Sequence, residues 1–184
     1  MKFKLFFLSL CLLFVGGAQA QTAEPNFIGE VFHVDAAGQT SLLEKQQIVL
    51  KTKAGASMYI FGVGKVKTKI NIQGNASTSR FPQTDTLKLI VKAVDNATDP
   101  MSVVQVFSFE ITKKARKAEL SSTGTFGGIT KNKLNYLPFT ATKYGESSYL
   151  LSLPNVKPGE YGIIVLNPNS ESEKSTVVSC FGID

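Results

Sequence analysis

The chain has 184 residues, a formal net charge of +6, 43% hydrophobic residues, two cysteines and no tryptophan. That length bounds a single domain, and so few cysteines exclude a disulfide framework or a cysteine-ligated zinc centre. A domain of this size buries roughly 70% of the surface its unfolded chain exposes, so it can build a core without covalent staples.

The first segment, MKFKLFFLSLCLLFVGGAQA, sets Lys2 and Lys4 before an apolar run from Leu5 to Val15 and ends in Ala18-Gln19-Ala20. Basic start, apolar middle and small-residue cleavage site make residues 1–20 a signal peptide, leaving 21–184 as the mature domain. The apolar run is shorter than the roughly 20 residues that cross a bilayer, so no transmembrane segment is expected in the mature chain. Cys11 follows Leu10 inside that run, which argues against a lipid anchor. Cleavage removes two lysines and no carboxylate from a chain of +6, so the mature domain stays basic. The expected location is the periplasm or the exterior.

Further along, the pattern is that of strands. FIGEVFHVD carries His33, the single histidine, and SLLEKQQIVL admits a short helical turn. Met58 to Val63 is apolar on both sides and suits a central strand. KVKTKINIQ alternates with period two, setting Val66, Thr68, Ile70 and Ile72 against Lys65, Lys67, Lys69, Asn71 and Gln73. VVQVFSFEI also alternates, with Phe107 and Phe109 opposite Val104 and Val106, and in SYLLSL the residues Tyr149, Leu151 and Leu153 share a face. Tyr161 to Leu166 again suits a central strand. Between these lie FPQTD, DNATDP, PNVKPGE and NPNSESE, which supply turn chemistry. Many strands with turn punctuation predict an all-β fold, an antiparallel β-sandwich of immunoglobulin-like or jelly-roll-like type.

In VKPGEYGIIVLNPN, Pro158 and Gly159 predict a tight turn that launches a strand at Glu160. Tyr161 at the strand entrance, with a hydroxyl able to reach backbone, resembles the tyrosine corner of immunoglobulin-like and fibronectin-like sandwiches. The segments VFHVDAAG, LEKQ, GKVKTKINIQGNAS, VDNATDPMSVVQVFSFE, LPFTATKYGESSYL and KPGEYGIIVLNPNSE resemble a group of uncharacterised secreted β-sandwich proteins of Gram-negative gut bacteria. That resemblance implies a cell-envelope setting and carries no catalytic residues with it.

Chemistry-bearing motifs are sparse. GESSY lacks the final glycine of a G-x-S-x-G elbow, and GVGK, with Val66 after the lysine, fails as a phosphate loop. Asp95, Asn96 and Asp99 in DNATDP are turn formers in a loop short of the 6–8 oxygens of a calcium site. No cofactor or metal is therefore expected. Cys180, in VVSCFGID, and His33 are the one nucleophile–base pair the composition allows, and each reads first as a structural strand residue.

Two basic groups stand out: Lys65, Lys67 and Lys69 on one strand face, and Lys113, Lys114, Arg116 and Lys117 after Ile111. Together they form a candidate ridge for an acidic glycan, an envelope lipid or another envelope protein. The competing reading is a solvated face whose lysines guard a sheet edge. Nucleic acid is not an expected partner of an exported protein. SSTGTFGGITKNKLN, with Phe126, Lys131 and Lys133, is a candidate binding loop. The expectation is a non-catalytic binding or structural module. The alternatives are an envelope hydrolase using Cys180 and His33, or a carbohydrate-binding module using Tyr59, Tyr136, Tyr144 and Tyr149.

Overall fold

The computed structural model describes residues 23–49, 51–54, 66–123, 130–167 and 175–184. The leader, the Met58 to Val63 run, Tyr59, GVGK with Lys65, and Phe126 lie outside the described residues.

The expected all-β architecture is present, built from three antiparallel sheets. In sheet A the strands run β13 (Thr140–Tyr144), β14 (Ser148–Pro154), β7 (Thr86–Lys92), β1 (Val31–Val34) and β2 (Thr40–Leu42). Sheet B has the order β12 (Asn135–Tyr136), β8 (Val104–Ser108), β15 (Gly159–Val165), β16 (Ser175–Ile183) and β3 (Glu44–Val49), and β6 (Arg80–Phe81) pairs parallel with β16. Sheet C has β11 (Thr130–Asn132), β10 (Ala115–Thr123), β5 (Val66–Gln73) and β4 (Lys51–Ala54), with β9 (Glu110–Ile111) also on β10. One helical turn, α1 (Pro100–Val103), starts at the N-cap Asp99, whose side chain accepts from the Met101 N–H.

Sheet B is the middle layer. Val31, Leu89, Val91, Tyr149, Leu151 and Leu153 of sheet A pack on Val104, Val106, Tyr161, Ile163 and Phe181 of sheet B. A second core joins Ile48, Phe107, Ile164, Val178 and Cys180 of sheet B to Ile70 and Ile72 of sheet C. This explains why β8 and β15 are apolar on both sides: successive side chains point to opposite faces, and both faces are covered. Each large apolar side chain so buried contributes about 1.5–3 kcal/mol. β5, by contrast, is an outer strand, with Ile70 and Ile72 buried and Lys69, Asn71 and Gln73 exposed.

SLLEKQQIVL is not helical. Its Glu44–Val49 portion is an edge strand whose backbone pairs with β16, from Glu44 opposite Cys180 to Val49 opposite Ser175, and this tertiary pairing overrides the local helical leaning. The PNVKPG connection carries the chain from sheet A to sheet B with two positive-φ residues, Asn155 (φ 51) and Gly159 (φ 157), the latter opening β15. Tyr161 closes the corner as expected: its hydroxyl donates to the Lys157 carbonyl at 2.6 Å, and its ring stacks on Phe181. One residue later, Gly162 has no side chain because the Phe107 and Phe109 rings lie over it, where a Cβ would come within 2.7 Å and 2.8 Å of them.

Candidate functional site

Sheet C brings into register lysine positions that are scattered in sequence. β4 and β5 each contain Lys-Thr-Lys, and their register sets Lys51 opposite Lys69, Thr52 opposite Thr68 and Lys53 opposite Lys67. On the other side of β5, Lys67 aligns with Ser122 and Lys69 with Glu119, and beyond Ser122 comes Lys131. Lys117, opposite Asn71, continues the same side of the sheet. The lysine positions, with Ser122 and Glu119, share the parity of the exposed Lys69 and Asn71, while Thr52 and Thr68 share that of the buried Ile70 and Ile72. Adjacent strands lie about 4.8 Å apart and alternate residues along a strand about 6.8 Å apart, so the lysine positions form a lattice of that spacing. Its carboxylates on the same side are Glu119, 4.0 Å from the Lys69 ammonium, and Glu110, opposite Lys117.

Lys113 and Lys114 are exposed at the turn between β9 and β10, where Gly74 N–H donates to the Lys114 carbonyl. They lie at the opposite end of β10 from its pairing with β11, so the basic positions run the length of that strand. Lys133 is exposed just after β11. The predicted loop is in part a strand pairing, since Ser121–Thr123 of β10 pairs with Thr130–Asn132 of β11; the structure thus brings Lys67, Lys69, Lys117 and Lys131 to one sheet, with Lys133 just past it.

Arg116 does not belong with them. It is 1% exposed and points into the layer between sheets B and C, because it pairs with the inward position Ile72 while its neighbour Lys117 pairs with the outward Asn71. Its Nη2 donates to Glu44 Oε1 at 2.7 Å, and its Nη1 lies 3.9 Å from Glu160 Oε2. Glu44 also accepts from the Ser77 hydroxyl, the Thr78 N–H and the Gln46 amide. Burial alone would raise the Glu44 carboxyl, but Arg116 and these donors outweigh it and hold it at about 2. Glu160 accepts from Ser77 N–H and from Arg80, which in turn binds Asp184. Gly182 leaves room for the Arg80–Glu160 pair, since a Cβ there would meet both partners within 2.7 Å. The network is an electrostatic tie between two sheets, with every carboxylate of Glu44 and Glu160 already engaged by donors.

Cys180 and His33 are not brought together. The thiol is fully buried in the layer between sheets B and C, where burial pushes it up to about 12. His33, on β1 of sheet A, stacks on Phe81, which packs against the other core. Sheet B stands between them. Among the tyrosines, Tyr149 is buried with its hydroxyl on the Thr98 carbonyl, while Tyr136 on sheet B and Tyr144 on sheet A belong to different layers. In DNATDP, Asp95 and Asp99 accept from the N–H groups of Ala97 and Met101, and the Asn96 amide donates to carbonyls around Gly145. These residues shape the loop.

Clefts open on the described surface, among them three lined wholly by described residues. One, about 520 Å³, lies beside the Glu24 carboxylate, which is held by Lys92, the Ser148 hydroxyl and the Glu146 N–H. A second, about 510 Å³, lies between the 96–101 loop and β13. The third, about 300 Å³, adjoins the lysine lattice and runs along β10 between β9 and the 133–135 segment.

No protein-family model and no curated protein matches the chain.

Lys51 and Lys53 escaped the sequence reading, although the second Lys-Thr-Lys was visible. Glu44, Glu160 and Arg80 were also missed as a network. For Arg116 the signal existed in the alternation Arg116, Ala118, Leu120, which becomes informative once residues 115–123 are read as a strand.

Proposed function

We propose that this protein is a non-catalytic binding module of the cell envelope that holds an anionic partner on the outer face of sheet C. The observation that carries the reading is the register of the two Lys-Thr-Lys segments. Like charges directly opposite one another destabilise a sheet, yet Lys51 faces Lys69 and Lys53 faces Lys67. Edge protection calls for one charged strand; a second lysine strand directly beside it is better accounted for by an anionic ligand that neutralises both. The basic net charge supports the same conclusion, as does the leader-like start of the chain, which favours export to the periplasm or beyond. The buried, protonated thiol of Cys180 and its separation from His33 favour binding over nucleophilic catalysis.

The test is binding to acidic polysaccharides and to vesicles containing phosphatidylglycerol at two salt concentrations, with the parent protein and with a variant carrying Lys67→Glu, Lys69→Glu and Lys117→Glu. Expected is binding that weakens with salt and is abolished by the charge reversal. Loss of neither, or no binding to any anionic probe, overturns the reading.

A further inference from the structure

Resting on that reading, we infer that the anionic partner is an acidic polysaccharide, and that the cleft along β10 seats one of its sugar units while the chain crosses the lysine lattice. The cleft, about 300 Å³, has the volume of a small-ligand site. It exists because β10 changes partners: β9 covers Arg116 and Lys117, β11 covers Ser121 to Thr123, and the stretch between them is free of strand pairing on that side. The 133–135 segment, crossing from sheet C towards sheet B, forms the far wall, tethered by Lys133 N–H to the Leu120 carbonyl at 3.2 Å.

The lining distinguishes a sugar from a lipid headgroup. Ala118 and Leu134 supply an apolar floor that belongs to the core between sheets B and C. The rim carries two cations, Lys117 and Lys133, and two carboxylates, Glu110 and Glu119. Asn135 also lines the cleft, its amide donating to the Ser108 hydroxyl at 2.7 Å, which leaves its carbonyl oxygen to accept. A bare phosphate or sulfate offers only acceptors and so has no donor to place against Glu110 and Glu119. An acidic sugar offers an apolar ring face for the floor, a carboxylate for the lysines and hydroxyl donors for the glutamates and Asn135. A bilayer surface cannot enter a concavity, whereas one ring of a chain can. Lys117 belongs to both the rim and the lattice, so a chain leaving the cleft passes directly onto the lysine positions of β5 and β4.

The experiment measures calorimetric binding of polygalacturonate and alginate, two polymers with one carboxylate per ring, against neutral dextran and phosphatidylglycerol vesicles. It compares the parent, Lys133→Ala in the cleft and Lys69→Glu on the lattice. Both substituted side chains are exposed, so the fold is retained. Expected is uronate binding that weakens about tenfold in Lys133→Ala, the loss of one charge-assisted contact, with competition by free galacturonic acid in the parent and not in Lys133→Ala. Lys69→Glu should weaken polymer binding and lower its salt dependence, leaving monomer competition in place. Vesicle binding without uronate binding overturns the sugar assignment and leaves the anionic face standing. Uronate binding indifferent to Lys133→Ala overturns the cleft. Failure of every anionic probe overturns the function proposed above.

Discussion

The Arg116 guanidinium of β10 meets the Glu44 carboxylate of β3 at 2.7 Å, joining the outer sheet C to the middle sheet B through a buried ion pair. Both side chains are less than a tenth exposed. Removing one member of such a pair leaves a desolvated charge behind, and the loss exceeds what the pair itself contributes. Arg116→Met should therefore lower stability by about 3–5 kcal/mol, read as a fall in the urea midpoint at unchanged slope. An unaltered midpoint would show the tie to be dispensable.

The same pair predicts an acid transition. Glu44 is held at about 2, below its ordinary 4.5, so its stabilisation is fully present above pH 4.5 and is lost as pH falls from 4.5 to 2. The shift corresponds to something on the order of 3 kcal/mol. Glu24 and Glu30, both lowered despite burial because of Lys92 and Lys45, add in the same direction. Thermal unfolding followed across that window should steepen, and Glu44→Gln should flatten the curve by removing its largest single contributor.

Gly162 cannot accept a methyl group without displacing the Phe107 and Phe109 rings, which meet edge to face at 5.2 Å. Overpacking of this kind costs about 1–3 kcal/mol. Gly162→Ala should lower the midpoint of thermal unfolding accordingly, whereas Gly38→Ala, with open space around it, should show the cost of its left-handed φ of 79 alone, about 1–2 kcal/mol.

Tyr161→Phe keeps the ring stacked on Phe181 but deletes the hydroxyl that donates to Lys157. A loss of about 1 kcal/mol is expected, with an unchanged circular dichroism spectrum. A collapse of the fold would show that the corner organises the sheet-to-sheet crossing instead of merely securing it.

Cys180 should be silent in the native protein. Its thiol is buried and pushed up to about 12, and the thiolate is the reactive form. A disulfide reagent at pH 8 should leave it unmodified until denaturant is added, after which labelling should be complete. Rapid native labelling would revive a chemical role for the side chain.

How much of this was visible in the residues depends on what each pattern encodes. Alternation over residues 68–73 and in SYLLSL correctly assigned faces because one side of each strand is wet or the apolar set is unbroken. Residues 161–165 read correctly as central, since apolar runs on both parities require two covered faces, whereas Leu166 lies just past β15 and is exposed. The number of layers was not legible: local patterns state that a face is buried without saying against which sheet. Arg116 was placed with the wrong neighbours because a charge reads as surface unless its partners, Glu44 and Glu160, are known, and these are distant in sequence. The lysine face was legible in part, through β5, while its extension through Lys51 and Lys53 depends on which strands pair.

The position of β16 bears on how the molecule assembles. Its nine residues pair with β15 on one side and β3 on the other, and its end is clasped by β6. Glu44 pairs with Cys180 far along the sequence, and both cores include side chains of β16, so each core closes on contacts of long sequence separation. Loops of that length must close before such contacts form, so folding should be slow and concerted.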